Sequence, residues 1–281
     1  MRGQGAGLRL IRRAAVLGRP VAHSLSPLLH RAAYAALGLT GWRYDALDCD
    51  EARLPGLVAG LGDAWAGLSV TMPCKRVALA TAGAASDLAV AVGAANTLLH
   101  RDGGWYADNT DVAGIASTLR EARVGSIDRA VVLGAGGTAQ AALAALADLG
   151  ARTPTVLVRD PARSAALLAT ARRIGSSPRL QQWPDALSPD WDVLISTVPA
   201  GAADRFASGP WPRDGVLLDV LYADWPTPLA RAATAAGVAC VVGGHEVLLH
   251  QAAAQVALMT DQPAPLAAMR AALTAALLRG H

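Results

Sequence analysis

The segment that most restricts the folds open to this chain is Val131-Val132-Leu133-Gly134-Ala135-Gly136-Gly137-Thr138-Ala139. A short apolar run breaks on glycines and resumes as an Ala/Leu-rich helix-forming stretch, Thr138 to Leu149, closed by Gly150. A strand that turns through glycine into a helix gathers free backbone N–H groups and the positive end of the helix dipole at one point, and that point suits a pyrophosphate. A tight turn with close helix packing would use the same glycines. The next apolar strand, Thr155 to Val158, begins about 20 residues on, as a βαβ dinucleotide unit requires. A Rossmann-type domain is therefore expected here.

An NAD site would place an acid after that second strand to hold the ribose 2′-hydroxyl. Val158 and Arg159 stand there instead, with Arg163 one helical turn further. Two guanidiniums suit a 2′-phosphate and point to NADP, while Asp160 offers an alternative partner for a ribose hydroxyl.

The rest of the chain alternates in the same way. Ala14 to Leu17, Trp42 to Leu47 and Gly67 to Thr71 have the composition of strands, and the stretches from Ser26 to Gly38 and from Glu51 to Leu61 that of helices. Later strands are expected at Asp192 to Ser196, Val216 to Val220 and Val238 to Val242, and closing helices at Glu246 to Thr260 and Pro265 to Leu278. Alternation of this kind predicts an α/β protein with mainly parallel sheets covered on both faces. The expected division is a substrate domain over residues 1–112, completed by helices within 246–281 that pack back on it, and a dinucleotide-binding domain over 113–245. The boundary is inferred near Thr110 to Ile127, where the nucleotide-type unit begins. Cofactor and substrate residues then come from different halves of the sequence, which predicts a cleft that closes on its ligands.

Composition excludes several classes. With 53% hydrophobic and 17% charged residues the 281-residue chain should fold compactly. The longest uncharged stretch, Ala130 to Ala147, is split by its glycines and is not a membrane span. Met1 to Arg13 is basic and Gly-rich without a following apolar region, which predicts a frayed tail rather than a secretory signal. Scattered arginines and 4% aromatic residues argue against nucleic acid as a partner. Cys49, Cys74 and Cys240 are odd in number and far apart, and His245 and His250 share no helix face. No metal site and a reducing, cytoplasmic setting are expected.

Of the 25 basic residues, one is lysine and 24 are arginine (25 − 1), and the lysine is Lys75. Arginine keeps its proton at any accessible pH, whereas lysine can be tuned to trade one. Lys75 follows the strand Gly67 to Thr71, and the carboxyl end of a strand is where open α/β sheets bind ligands. Ser24 and Ser26, in His23-Ser24-Leu25-Ser26-Pro27, put two hydroxyls at a helix entrance that favours an anion, although Ser26 could simply cap the helix. Asn96-Thr97 and Asp108-Asn109-Thr110-Asp111 are polar segments that turn and cap chemistry alone would explain.

Taken in order, Gly18 to His30, Ser69 to Lys75, Gly93 to Thr97, Asn109 to Asp111, the Gly134 loop, Asp219 to Tyr222 with Thr227 to Leu229, and Leu248 to Gln251 resemble the shikimate dehydrogenases over nearly the whole chain. The resemblance implies a reversible NADPH-dependent reduction of 3-dehydroshikimate to shikimate, on the route to aromatic amino acids. It implies Lys75 and Asp111 as the catalytic pair, Ser24 and Ser26 on the substrate carboxylate, and Thr71, Asn96, Tyr222 and Gln251 around the rest of the substrate. It also implies Gly134, Gly136, Gly137, Thr138, Arg159, Arg163, Thr197 and Gly244 at the NADP(H) site, in a cytoplasmic monomer or homodimer. Ser69, Arg31 and Val158 depart from the family pattern, which usually has asparagine at these positions. Ser69 retains one hydrogen bond of shorter reach for the substrate, and Val158 forfeits a contact to the cofactor. An NAD-dependent quinate/shikimate dehydrogenase and a non-catalytic NADP-binding regulator are the alternatives on the same fold.

Overall fold

The computed structural model describes residues 11–122 and 125–279. Most of the expected frayed tail, Met1 to Leu10, lies outside the described residues. Its last two arginines belong to the first strand, where Arg12 donates to the Asp63 carbonyl at 2.8 Å and Arg13 lies over the Trp65 ring. In chain order the first elements are β1 (Arg12–Gly18), α1 (Ser26–Ala36), β2 (Trp42–Asp48), α2 (Leu54–Ala59), β3 (Trp65–Val70), α3 (Lys75–Thr81) and β4 (Ala84–Ala85). They are followed by α4 (Asp87–Val92), β5 (Thr97–Arg101), β6 (Gly104–Asp108) and α5 (Thr110–Glu121). Next come β7 (Ala130–Leu133), α6 (Gly137–Asp148), β8 (Thr155–Val158), α7 (Ala165–Arg173) and β9 (Arg179–Gln182). The last are β10 (Val193–Ser196), β11 (Val216–Asp219), α8 (Pro228–Ala235), β12 (Cys240–Gly243), α9 (Gly244–Thr260) and α10 (Leu266–Leu277). No helix among the described residues is long and apolar enough to cross a membrane.

The chain forms two compact units, one of residues 1–86, 95–108 and 255–281, the other of residues 87–94 and 109–254. This division differs from a boundary at residue 112. The stretch expected to hold the boundary is largely the helix α5, whose Val112, Ile115, Ala116 and Leu119 are buried at three- and four-residue spacing in the second unit's core. Asp111 therefore lies in the second unit with its helix, and so does α9 as far as Ala254.

The first unit holds a six-stranded sheet in the order β2-β1-β3-β5-β6-β4. β1 runs parallel to β2 and β3, β5 and β6 form an antiparallel hairpin, and β3 meets β5 antiparallel. The hairpin was not expected from the sequence, although Asp102-Gly103 between two apolar runs signals one: both residues take positive φ, 51° and 75°. Alternate residues of β1 feed opposite faces. Ala15 and Leu17 pack with Leu54, Val58 and Ala78 beneath α2 and α3, while Ala14 and Val16 pack with Tyr34, Tyr44 and Met259.

The second unit holds a fully parallel sheet in the order β12-β11-β10-β7-β8-β9. Counted from β7 this is 3-2-1-4-5-6, the order of dinucleotide-binding folds. β9, Arg-Leu-Gln-Gln at the sheet edge, lacks the apolar run that marks the other strands, so periodicity did not find it. β7, β8, β10 and β11 with α5, α6 and α7 supply most of the apolar core, in which Leu143, Val156, Ile195 and Leu218 are fully buried.

Candidate active site

In the first unit β1 leads to β2 on one side and neighbours β3 on the other, so the carboxyl ends of β1 and β3 flank a point where the sheet's connections reverse, the usual place for a ligand. Gly18 ends β1, and an added β-carbon there would stand 2.3 Å from Thr71 Cγ2 and 2.8 Å from the Met72 carbonyl oxygen. Only glycine lets the two strand ends approach this closely. Thr71 is held by its N–H to the Leu17 carbonyl, 2.9 Å, and its own carbonyl accepts from Cys74 at 3.0 Å. That turn delivers Lys75 as the first residue of α3, half-buried, with its carbonyl accepting from Ala95 N–H at 2.9 Å beside Asn96. On the β1 side, the Ser24 hydroxyl accepts from the Ser26 N–H at 3.3 Å. The residue flanking α1 is Leu25 and Ser26 is the first residue of the helix, its N–H accepted by Ser24, so the reading of Ser26 as a plain cap fails. Ser26 is buried and Ser24 half-buried. The fold of this unit thus gathers Ser24, Ser26, Thr71, Lys75 and Asn96 from segments that follow β1 and β3 or lead into β5.

The second unit presents Asp111 in the first turn of α5. Asn109 caps that helix, accepting from Asp111 N–H at 3.1 Å and donating to the Ala94 carbonyl at 2.8 Å. Gln251, on α9, is buried and donates to the Leu248 carbonyl at 2.9 Å. Tyr222 is 37% exposed on the loop after β11. That loop is closed by Asp219, whose carboxylate accepts from the Thr227 hydroxyl at 2.8 Å and from Leu221 N–H at 3.3 Å. Burial pushes the Asp219 carboxyl above the usual range and those two hydrogen bonds oppose it.

The glycine loop lies at the second sheet's reversal point, between β7 and β10. Gly134 has φ +106°, and a β-carbon there would meet Thr197 Oγ1 at 2.7 Å. Thr197 donates to the Leu133 carbonyl at 2.7 Å, tying the end of β10 to that of β7. Gly136 and Gly137 are exposed at the start of α6 with open space where a side chain would be, and Thr138 follows in the first turn. A bare backbone at a helix N-terminus fits a pyrophosphate. Gly244 acts differently: a β-carbon would stand 1.8 Å from the Val220 carbonyl oxygen, so glycine is required there for packing. Beyond β8, Arg159 is exposed over the Trp183 ring and Arg163 is exposed in the following turn. The Asp160 carboxylate accepts from Ala162 N–H at 3.0 Å and caps that turn, so of the two chemistries considered for this strand end the guanidiniums are the better placed.

A model of the shikimate dehydrogenase substrate binding domain matches residues 16–98, and one of the shikimate 5'-dehydrogenase C-terminal domain matches residues 244–274. A shikimate dehydrogenase (NADP(+)) from Methylobacterium radiotolerans is 38% identical over 253 residues, covering 85% of this chain and 88% of that protein. This chain belongs to the shikimate dehydrogenase family. The shikimate dehydrogenase of Mycobacterium tuberculosis has a similar crystal structure, with TM-score 0.84 at 44% identity over 94% of this chain and 99% of that one. The Thermus thermophilus shikimate 5-dehydrogenase, solved with NADP(H) and shikimate, gives 0.82 at 32% identity over 94% and 99%.

Against the shikimate dehydrogenase pattern, the departures at Ser69 and Val158 have a structural account. The single Ser69 proton goes to Gln255 Oε1 at 2.7 Å, and its oxygen accepts from Tyr44 at 2.6 Å, so the hydrogen bond expected to remain for a substrate is already committed. Val158 is buried in the apolar core at the end of β8. Sequence reasoning missed Tyr44 and Gln255 and gave Thr97 no role beyond turn or cap chemistry, and the available signal was a second glutamine four residues after Gln251 in the otherwise apolar run Ala252 to Met259. His250 was read only against His245. In the fold its Nε2 lies 2.8 Å from Glu121 Oε2, with Glu246 completing a trio of possible ligands within 4.8 Å of one another. The 2.8 Å contact has the length of a hydrogen bond between imidazole and carboxylate.

Proposed function

We propose that this chain catalyses the reversible NADP-dependent interconversion of 3-dehydroshikimate and shikimate, with Lys75 as the proton donor. The observation that carries the reading is the position of the sole lysine: first residue of α3, beyond the β3 carboxyl end and beside Thr71, where ligands of such sheets bind. Reduced nicotinamide, when bound, supplies a hydride to the ring carbonyl carbon. The Lys75 ammonium stabilises the negative charge that develops on the carbonyl oxygen and donates a proton to it, leaving a hydroxyl. Asp111 is proposed to hold that ammonium and the hydroxyl in line, and in the reverse direction the neutral Lys75 amine takes the proton back. Ser24 and Ser26 are assigned to the substrate carboxylate, and Thr71, Asn96, Tyr222 and Gln251 to its remaining polar groups.

For the cofactor, Gly134, Gly136, Gly137 and Thr138 would hold the pyrophosphate, with Thr197 and Gly244 shaping the site. Arg159 and Arg163 favour a 2′-phosphate over a free ribose. A cytoplasmic monomer or homodimer fits the free Cys49, Cys74 and Cys240, of which the first two are buried.

Initial rates with each pairing of shikimate or quinate with NADP or NAD, followed by absorbance of the reduced nicotinamide, test the reading. Shikimate with NADP is expected to be fastest. Lys75→Arg keeps the charge and should lower turnover by roughly 10²–10⁴ while shikimate binding persists. Near-normal turnover of that variant, or no turnover by the wild type on any pairing, would refute it.

A further inference from the structure

Just past the carboxyl end of the edge strand β9 stands a tryptophan that is fixed on three sides. In the parallel ladder Val158 of β8 pairs with Gln182 of β9, so the next residues, Arg159 and Trp183, leave the two strands side by side. The Trp183 N–H donates to the Val158 carbonyl at 2.8 Å, and its indole Nε1–H donates to the Leu157 carbonyl at 3.0 Å. The ring meets the fully buried Phe206 edge to face, with centroids 5.2 Å apart. Backbone, indole nitrogen and ring are all held, so the orientation of the indole plane is settled before any ligand binds.

The Arg159 guanidinium lies over this ring, its Cζ 5.8 Å from the centroid and within the roughly 6 Å reach of a cation–π contact. Among the described residues Arg159 has no carboxylate partner. The distinction decides what the arginine can still do. A carboxylate would hold it by neutralising its charge and occupying its N–H groups, whereas an aromatic face attracts the cation and leaves the in-plane donors for a phosphate.

We infer that Trp183 is a positioning residue for NADP(H) recognition: its ring holds the Arg159 guanidinium at the β8 end without consuming the charge or the donors that the 2′-phosphate needs. The inference rests on the proposed assignment of Arg159 to that phosphate. A long side chain loses rotamer freedom when it grips a ligand, and that loss weakens affinity unless the side chain is already held in the free protein. Trp183 supplies part of that restraint. Because it acts through Arg159, its effect belongs only to ligands that carry the 2′-phosphate. β9 thereby acquires a use beyond closing the sheet edge, since its ladder with β8 sets Trp183 beside Arg159.

Calorimetric titration of the full chain with adenosine 2′,5′-bisphosphate and with adenosine 5′-phosphate isolates the 2′-phosphate and needs no turnover. In Trp183→Leu, binding of the bisphosphate should weaken about three- to tenfold while that of the monophosphate stays within about twofold of wild type. KM for NADP should rise by the factor seen for the bisphosphate, with kcat and KM for shikimate unchanged. Trp183→Phe keeps an aromatic face and should bind the bisphosphate within about twofold of wild type. In an Arg159→Gln background, Trp183→Leu should add nothing. Equal weakening of both nucleotides, a full additional loss in the double variant, or wild-type binding by Trp183→Leu where Arg159→Gln is impaired would each overturn the inference. If Arg159→Gln itself bound the bisphosphate as wild type does, the assignment of Arg159 would fail first and the role of Trp183 with it. Each variant is checked for cooperative thermal melting. Should Trp183→Leu not fold, Trp183→Met, which has no π face, carries the same test.

Discussion

Gly114 on α5 lies directly against Gln251 on α9: a β-carbon at Gly114 would stand 2.9 Å from Gln251 Cβ and 2.9 Å from the Val247 carbonyl oxygen. The absence of a side chain at one helix therefore sets the position of a proposed substrate residue on another. Gly114→Ala gains helix propensity of about 1 kcal/mol, but the overlap should cost about 1–3 kcal/mol. The expected result is a lower melting temperature together with a raised KM for shikimate, measured on the same preparation. A variant more stable than wild type, with KM unchanged, would show that the helices separate freely.

The glycines of the cofactor region should divide into two groups. Gly136 has φ −76° and ψ −173° with nothing within 4 Å of where a β-carbon would stand, so alanine fits the folded chain there. Gly136→Ala should melt like wild type and raise KM for NADP, because the methyl occupies the space a pyrophosphate needs. Gly244→Ala drives a methyl into the Val220 carbonyl and should impair folding itself, seen as loss of cooperative melting or of soluble protein.

Stability should fall in mild acid because of His30. Burial pushes its pKa down to about 3 from an ordinary 6.5. Between those values the unfolded chain binds a proton that the folded chain refuses, so this contribution is intact above pH 6.5 and declines by roughly 1 kcal/mol per pH unit as the pH drops towards 3. Urea melts from neutral pH downward should give a shallower pH dependence for His30→Asn than for wild type. Parallel curves would refute the assignment.

Cofactor choice should reside in Arg159 and Arg163. Replacing either by glutamine should reduce kcat/KM with NADPH by roughly tenfold or more, the worth of a charge-assisted hydrogen bond, and leave kcat/KM with NADH nearly unaltered. The wild-type preference should weaken at high salt, since both guanidiniums are exposed. Equal losses with both cofactors would mean that the arginines serve the fold.

Much of this architecture was legible in the sequence because its signals are local. The glycine loop, the apolar strands β7, β8, β10 and β11, and the closing helices each declare themselves within a dozen residues. Lys75 stood out by composition alone. What escaped was determined by partners distant in sequence. β9 is a polar edge strand whose ladder, not its composition, makes it a strand. α5 carried a clear helical pattern of Val112, Ile115, Ala116 and Leu119, yet the expected domain boundary diverted attention from it. Ser69 illustrates the limit most sharply. From the sequence its hydroxyl was available to a substrate, and only the approach of Gln255, 186 positions away, shows the proton to be taken.

The solitary lysine at the head of α3 also gives the chain an analytical property. It supplies the only side-chain primary amine in 281 residues, and that amine belongs to the proposed acid of the reaction. An acylating reagent, which elsewhere would scatter over many surface sites, here modifies one ε-amine, so the extent of labelling and the loss of turnover should follow a single curve. Protection by shikimate would then report occupancy of the substrate site without any cofactor present.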